Sequence, residues 1–231
     1  MNFGFYNMDC ITGMKEFPDK FFDLAIVDPP YGSKVGRGGY MTNRSGGGVG
    51  RRRTYHLALW SQDRPSEEYF KELQRVSKNQ IIWGGNYFAD MLETSPCWIV
   101  WDKGVPEGVH YADCELAWTS FDSAVKMFNY RWSGMMQENM KEKEFRIHPT
   151  QKPIALYDWL LNKYAKPGDI ILDTHVGSAS SLIACERLNH KYVGFEIDET
   201  YYKMAKERLA AEVAQENIFS YMEKNNDSSN Q

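Results

Sequence analysis

Phe22-Asp23-Leu24-Ala25-Ile26-Val27-Asp28-Pro29-Pro30-Tyr31-Gly32 is the stretch that decides the fold. A strand with one wet face alternates apolar and polar residues. Leu24 to Val27 do not alternate, which is the pattern of a parallel strand covered on both faces. The run then stops at a carboxylate, two prolines and an aromatic ring. Pro29 and Pro30 fix φ and lack N–H donors, so the local carbonyls are left to accept from another group. In parallel α/β sheets, ligands bind beyond the carboxyl ends of strands, where the strand order reverses. Asp28 stands at such an end.

Working outward, residues 2–6 read as a short strand ending near Asp9. Ser66 is the expected N-cap of a helix running to Val76, with Glu67 and Glu68 in its first turn. Apolar runs follow at Gln80–Gly84, Trp98–Asp102 and Cys114–Ser120. Pro153–Tyr164 reads as a helix, Ile170–Asp173 as a buried strand and Ser180–Leu188 as a helix. Lys191–Ile197 is another strand, and Glu199–Gln215 an amphipathic helix. Strands alternating with helices predict one α/β domain over residues 1–221, with a mostly parallel, doubly wound sheet and right-handed crossovers. Residues 122–147 break the pattern and read as a short insertion, a candidate for target recognition. The polar tail, residues 222–231, is expected to be disordered.

Composition excludes several classes. The 231 residues are 42% hydrophobic and 25% charged, ordinary for a soluble domain. No apolar run approaches the ~20 residues of a membrane helix and the N-terminus lacks a signal peptide's pattern, so a soluble cytoplasmic protein is expected. Cys10, Cys97, Cys114 and Cys185 have no CxxC spacing and read as free thiols, with no metal centre. Net charge is −4, yet residues 33–55 carry Lys34, Arg37, Arg44, Arg51, Arg52 and Arg53 and no acid. That segment is +6 and leaves −10 on the rest, a basic loop on an acidic body, as suits binding a phosphate backbone at one place. Its glycines suggest order only on binding.

Two segments place polar residues at strand ends. One is Asp28. The other is Asp173-Thr174-His175-Val176-Gly177-Ser178-Ala179-Ser180, a small-residue turn opening a helix. Gly177 and Ser178 allow close backbone approach, and the helix start offers free N–H groups. Glu196 ends the next strand, where a carboxylate grips ribose hydroxyls. Turn and downstream acid together point to a nucleoside cofactor. Asp28 and the Pro29 carbonyl form an acceptor pair suited to an NH₂ group, and Tyr31 offers a flat face for a base.

With these residues in view, the chain resembles the β-class, circularly permuted DNA amino-methyltransferases that use S-adenosylmethionine. The likeness rests on Asp9-Cys10, then Asp28-Pro29-Pro30-Tyr31, then His148-Pro149-Thr150-Gln151-Lys152-Pro153, then the Asp173–Ser178 turn, then Glu196. Trp83-Gly84-Gly85-Asn86-Tyr87 resembles a segment of phage-type members. The resemblance implies a Rossmann-like methyltransferase fold with one antiparallel strand, S-adenosylmethionine as cofactor and double-stranded DNA as partner. It leaves the oligomeric state open, a homodimer included. It also implies roles. Asp9 and its neighbour Cys10 would lie by the cofactor adenine and Glu196 by the ribose. Lys152, Asp173, His175, Gly177 and Ser178 would surround the methionine part. Asp28, with Pro29, Pro30 and Tyr31, would face both the methionine amino group and the target amine.

The family turn usually reads D-x-F-x-G-S-G. Here His175 replaces the Phe and Ala179 the last Gly, a change tolerable if φ at Ala179 is negative. His175 is expected to keep the aromatic packing rather than act as a base. DPPY favours adenine N6 as the methylated atom, since N4-cytosine relatives more often have Ser in place of Asp28. N4-cytosine is the alternative. RNA-base and protein-glutamine methyltransferases share (D/N)PPY but carry the cofactor turn ahead of it. A catalytically inactive DNA-binding relative is the remaining reading, suggested by the altered turn.

Overall fold

Phe22–Val27 is a central strand with both faces covered. Leu24 and Ile26 enter one hydrophobic core, while Ala25 and Val27 enter another on the opposite side, where Phe22 at the start of the strand also packs. Each of these five side chains is at most 1% exposed. That is why the stretch cannot alternate: period-two geometry sends successive side chains to two faces, and neither face is wet. Burying each large aliphatic contributes roughly 1.5–3 kcal/mol.

The computed structural model describes residues 1–32, 64–106, 112–133 and 135–228, as backbone only from 216 onward. In chain order the elements are β1 (Gly4–Asn7), α1 (Cys10–Met14), β2 (Phe22–Val27), α2 (Glu67–Val76), β3 (Ser77–Trp83), β4 (Trp98–Asp102) and β5 (Cys114–Thr119). There follow β6 (Lys126–Asn129), β7 (Trp132–Ser133), β8 (Met136–Gln137), α3 (Ile154–Tyr164), β9 (Ile170–Asp173), α4 (Ser180–Arg187), β10 (Lys191–Glu196) and α5 (Glu199–Ser228). Eight strands form one sheet in the order β1-β10-β9-β2-β3-β5-β4-β6, and β7 and β8 form a small hairpin. All neighbours are parallel except at β5, which runs against both β3 and β4. The expected Rossmann-like sheet with one reversed strand is therefore present.

The chain moves outward in one direction from β2 to β3 and in the other from β9 to β10, so the order reverses between β2 and β9. In register, Ala25 lies opposite Leu172, Asp173 opposite Gly194 and Glu196 opposite Asn7. The carboxyl ends of four adjacent parallel strands thus line up, and each carries an acid at or just beyond its end: Asp9, Glu196, Asp173 and Asp28.

Two expectations need correcting, and one short helix was not foreseen. Residues 122–147 are not wholly an insertion, because β6 pairs with β4 as the sheet's edge; its four residues are too few to show a pattern in sequence. The helix expected over 199–215 continues as backbone to Ser228, into the tail expected to be disordered. No Pro or Gly interrupts residues 199–228 to end it. A short helix, α1, follows β1, where Asp9 is its N-cap and accepts from the Thr12 N–H and hydroxyl, both at 2.8 Å. No helix among the described residues is long and apolar enough to cross a membrane.

Candidate active site

Asp28 is partly buried and both its carboxylate oxygens are engaged. The Tyr31 hydroxyl donates to Oδ1 at 2.6 Å, and the Lys152 ammonium donates to Oδ2 at 2.5 Å. Burial and the neighbouring carboxylates Asp28 and Glu115 push the Tyr31 phenol well above its ordinary range, so it stays a donor. Each carboxylate oxygen has two lone-pair sites, so Asp28 retains acceptor capacity on both. The Tyr31 ring, expected to present a face to a base, stacks on Tyr87 with centroids 4.9 Å apart and planes 25° apart. Gly84 makes this possible. It sits at φ +70°, and a Cβ there would fall 2.1 Å from the Tyr31 ring. The Trp83–Tyr87 segment therefore seats the aromatic residue of DPPY.

Lys152 comes from the loop before α3 and is 4% exposed. Besides Asp28 it meets Glu115 of β5 at 3.1 Å, and its ammonium lies 5.4 Å from the Trp83 ring centre. Glu115 in turn pairs with Lys103, just after β4, at 3.2 Å. Two anions and two cations thus alternate across the top of β2, β5 and β4. The loop is tied down at several points: Gln151 Oε1 accepts from the Ile147 N–H, the Gln151 carbonyl accepts from the Trp132 indole, and the Lys152 carbonyl accepts from Ser180. Arg208 of α5 donates to the Ser178 carbonyl and the Ser180 hydroxyl, and so fastens the turn before α4.

Asp173 is 2% exposed and accepts from the Ser181 hydroxyl and the His175 N–H. Burial, with Asp28 and Glu196 nearby, raises its pKa to about 7 despite those two donors. Glu196 accepts from the Gly177 N–H on one oxygen and the Asp198 N–H on the other, both at 2.9 Å, which fixes the turn against the end of β10. Burial pushes its carboxyl upward as well. Gly177 has φ +55°, the left-handed region that favours glycine.

His175 keeps the aromatic packing expected of it, its ring centre 5.4 Å from that of Tyr69 in an edge-on arrangement. Its Nδ1 bonds the Thr174 hydroxyl, which also bonds the Tyr69 hydroxyl. Burial lowers the imidazole to about 4, so it is neutral at pH 7. Cys10, the first residue of α1, has a thiol pushed up to about 12 by burial and by Asp9. It is no nucleophile at neutral pH.

The condition set for Ala179 is not met. Its φ is +64°, left-handed, because it caps α4 where the family pattern has glycine. An L side chain there costs about 1–2 kcal/mol, offset in part by alanine's smaller loss of backbone entropy. Ala179→Gly is expected to raise stability by about 1 kcal/mol, or roughly 3 °C in Tm, measured by thermal unfolding.

Residues 100–207 match the DNA methylase family N6_N4_Mtase. The match takes in Glu115, Lys152, the Asp173 turn and Glu196 and covers just under half of the chain. Over 151 residues the chain is 33% identical to the type II methyltransferase M2.DpnII of Streptococcus pneumoniae, covering 63% of this chain and 54% of that protein. A 70-residue stretch is 44% identical to the type II methyltransferase M.HpaI of Haemophilus parainfluenzae, covering 30% and 22%. The chain thus spans about half, or less, of the length of these curated relatives. Among solved structures, the M1.HpyAVI–SAM complex superposes with TM-score 0.55 at 23% identity, covering 88% of this chain and 98% of that one. TTHA0409 of Thermus thermophilus, a putative DNA modification methylase complexed with S-adenosyl-L-methionine, gives 0.55 at 17%, covering 90% and 93%. The cytosine-N4-specific PvuII DNA methyltransferase gives 0.58 at 12%, covering 93% and 92%. These likenesses establish the methyltransferase fold.

The structure brings Asp28, Tyr31 and Lys152 into contact and joins Glu196 to Gly177. Asp173, His175 and Ser178 lie on the adjoining turn, and Asp9 and Cys10 beyond β1. Pro29 is buried and Pro30 partly so. Lys34, Arg37, Arg44, Arg51, Arg52 and Arg53 lie outside the described residues. Sequence reasoning missed Glu115 and Lys103. The signal was an acid inside the apolar run Cys114–Ser120 and a lysine directly after Trp98–Asp102.

Proposed function

We propose that this chain is an S-adenosylmethionine-dependent DNA methyltransferase acting on the N6 amine of adenine. The observation that carries the reading is the row of acids at four adjacent strand ends, with Asp28 of DPPY at the point where the strand order reverses. The family match and the relatives support the DNA amino-methyltransferase class. The choice of adenine rests on Asp28 standing where cytosine-N4 relatives more often have Ser, and cytosine N4 is the second reading. The motif order supports the permuted class, and residues 33–55 are the proposed DNA-binding segment.

The residues fit the cofactor by charge. Burial, with a smaller contribution from the nearby Asp28 and Glu196 carboxylates, displaces Asp173 upward, and a cation bound there would favour its ionised form. Asp28 and Asp173 would hold the methionine ammonium, and Glu196 the ribose hydroxyls. Gly177 and Ser178 would border the chain between them. When bound, S-adenosylmethionine supplies an electrophilic methyl group. Asp28 and the Pro29 carbonyl would accept the two N–H groups of the target amine, orienting its lone pair and stabilising the positive charge that develops there. Holding the amine in line contributes mainly through proximity, worth up to ~7–11 kcal/mol. A base in a duplex must leave the stack to reach Asp28, and the Tyr31–Tyr87 pair would form one wall for it.

Asp173 yields a pH signature. Its folded pKa lies above the unfolded value, so its ionisation destabilises the free protein: the penalty is absent below pH ~4 and complete above about 7. Binding of a cation reverses that penalty. Affinity for S-adenosylmethionine is therefore expected to rise about tenfold between pH 5.5 and 7.5, and Asp173→Asn to flatten the rise, both by calorimetric titration. The function as a whole is tested by sequencing plasmid DNA from cells expressing the protein. N6-methyladenine at a recurrent sequence is expected, N4-methylcytosine there would favour the second reading, and unmodified plasmid would count against both.

A further inference from the structure

We propose that Glu115, held by Lys103, is a positioning residue for methyl transfer: it shares the Lys152 ammonium with Asp28, so that Asp28 keeps an acceptor site for the base amine. The inference rests on the methyl-transfer reading above. Its geometry does not. Lys152 reaches Asp28 at 2.5 Å and Glu115 at 3.1 Å, and Lys103 reaches the other Glu115 oxygen at 3.2 Å. Lys152 and Lys103 are 4% and 7% exposed. An ammonium paired with Asp28 alone would concentrate on that carboxylate and compete with the incoming amine. A second carboxylate on the far side divides it. The reversed strand β5 is what brings that carboxylate to the site, since its start lies beside the carboxyl ends of β3 and β4.

The surroundings agree. Burial opposes the charge on Lys152, yet Asp28 and Glu115 hold it above the ordinary lysine value. Burial opposes the charge on Glu115 too, and Lys152 and Lys103 hold it below the ordinary range. The other titratable groups facing this cluster are Tyr31, Tyr157 of α3, Asp173 at the end of β9 and His148 in the loop that bears Lys152. Both tyrosines are pushed well upward, chiefly by burial, and His148 is lowered to about 4 by burial and by Lys152. The tyrosines and His148 are neutral at pH 7 to 9, and Asp173, which ionises over that range, interacts with Asp28, so Glu115 and Lys103 set the Lys152 charge from the side away from Asp28.

The test compares Glu115→Gln and Lys103→Met with the wild-type chain. The kcat for methyl transfer to DNA is followed from pH 6 to 10 at saturating S-adenosylmethionine, and lysine side chains labelled at Cε are titrated by NMR up to about pH 12. Glu115→Gln removes an anion beside Lys152. The Lys152 titration and the basic limb that follows it should both fall by about one pH unit or more, which brings that limb into the measured range, with S-adenosylmethionine affinity changed less than threefold. Lys103→Met removes a cation, so neither should fall. A purely structural role would move both variants the same way. An unchanged Lys152 titration in Glu115→Gln, or a fall in Lys103→Met, overturns the proposal. Should Glu115→Gln not fold, the Lys103→Met titration decides: Lys152 rising supports the sharing and Lys152 falling overturns it. A wild-type chain that transfers no methyl group would sink the functional reading alone, because the lysine titrations stand without it.

Discussion

Asp28→Asn is expected to lower methyl transfer to DNA by roughly 10³-fold while leaving the fold intact. Loss of a single preorganised group aimed at developing charge costs about 10²–10³ in kcat. Asp28 would supply both the negative charge and an acceptor, and asparagine can turn an NH₂ toward the amine it should accept from. The fold survives because Lys152 keeps Glu115 as a partner at 3.1 Å and the amide matches the carboxylate in shape. Single-turnover transfer of labelled methyl, paired with thermal unfolding, separates the two effects. Near-normal turnover in Asp28→Asn would remove Asp28 from the chemistry.

Lys152→Met is expected to do the reverse, damaging the fold first. It leaves the Asp28 and Glu115 carboxylates without their shared cation in a largely desolvated setting. Breaking a buried pair from one side costs about 3–5 kcal/mol, because an uncompensated charge remains. Lys103 still partners one Glu115 oxygen and Tyr31 still donates to Asp28, so the low end of that range is expected, near 10 °C in Tm. The loss should shrink toward pH 4, as the stranded carboxylates take up protons. Urea unfolding at pH 4.5 and 7.5 checks this; an equal loss at both would assign the effect to packing instead.

The sheet was legible because its long elements carry their pattern within themselves. The Leu24–Val27 run needs two covered faces, and Ser66 caps α2 by accepting from the Tyr69 N–H as its sequence suggests. The strand ends were legible too, since a carboxylate followed by prolines or small residues is costly to bury without a purpose. What escaped was stabilised from a distance. β6 has four residues and exists because β4 pairs with it. Helix α1 has five and depends on its Asp9 cap. Glu115 looked like one polar residue in a strand, and its partner Lys152 is remote in sequence, joined only when β5 reverses direction. Ala179 was misjudged because local sequence does not fix the sign of φ: the cap geometry before α4 demands the left-handed form whether or not glycine is there.

The acids at the ends of β1, β10, β9 and β2 are proposed to form a methyl-transfer site for a DNA base amine. The most direct test incubates the full chain with duplex DNA and S-adenosylmethionine labelled on its methyl group, then digests the DNA and separates the nucleosides. Label is expected in N6-methyldeoxyadenosine, abolished by Asp28→Asn. Label in no nucleoside, or label that Asp28→Asn leaves unchanged, would contradict it.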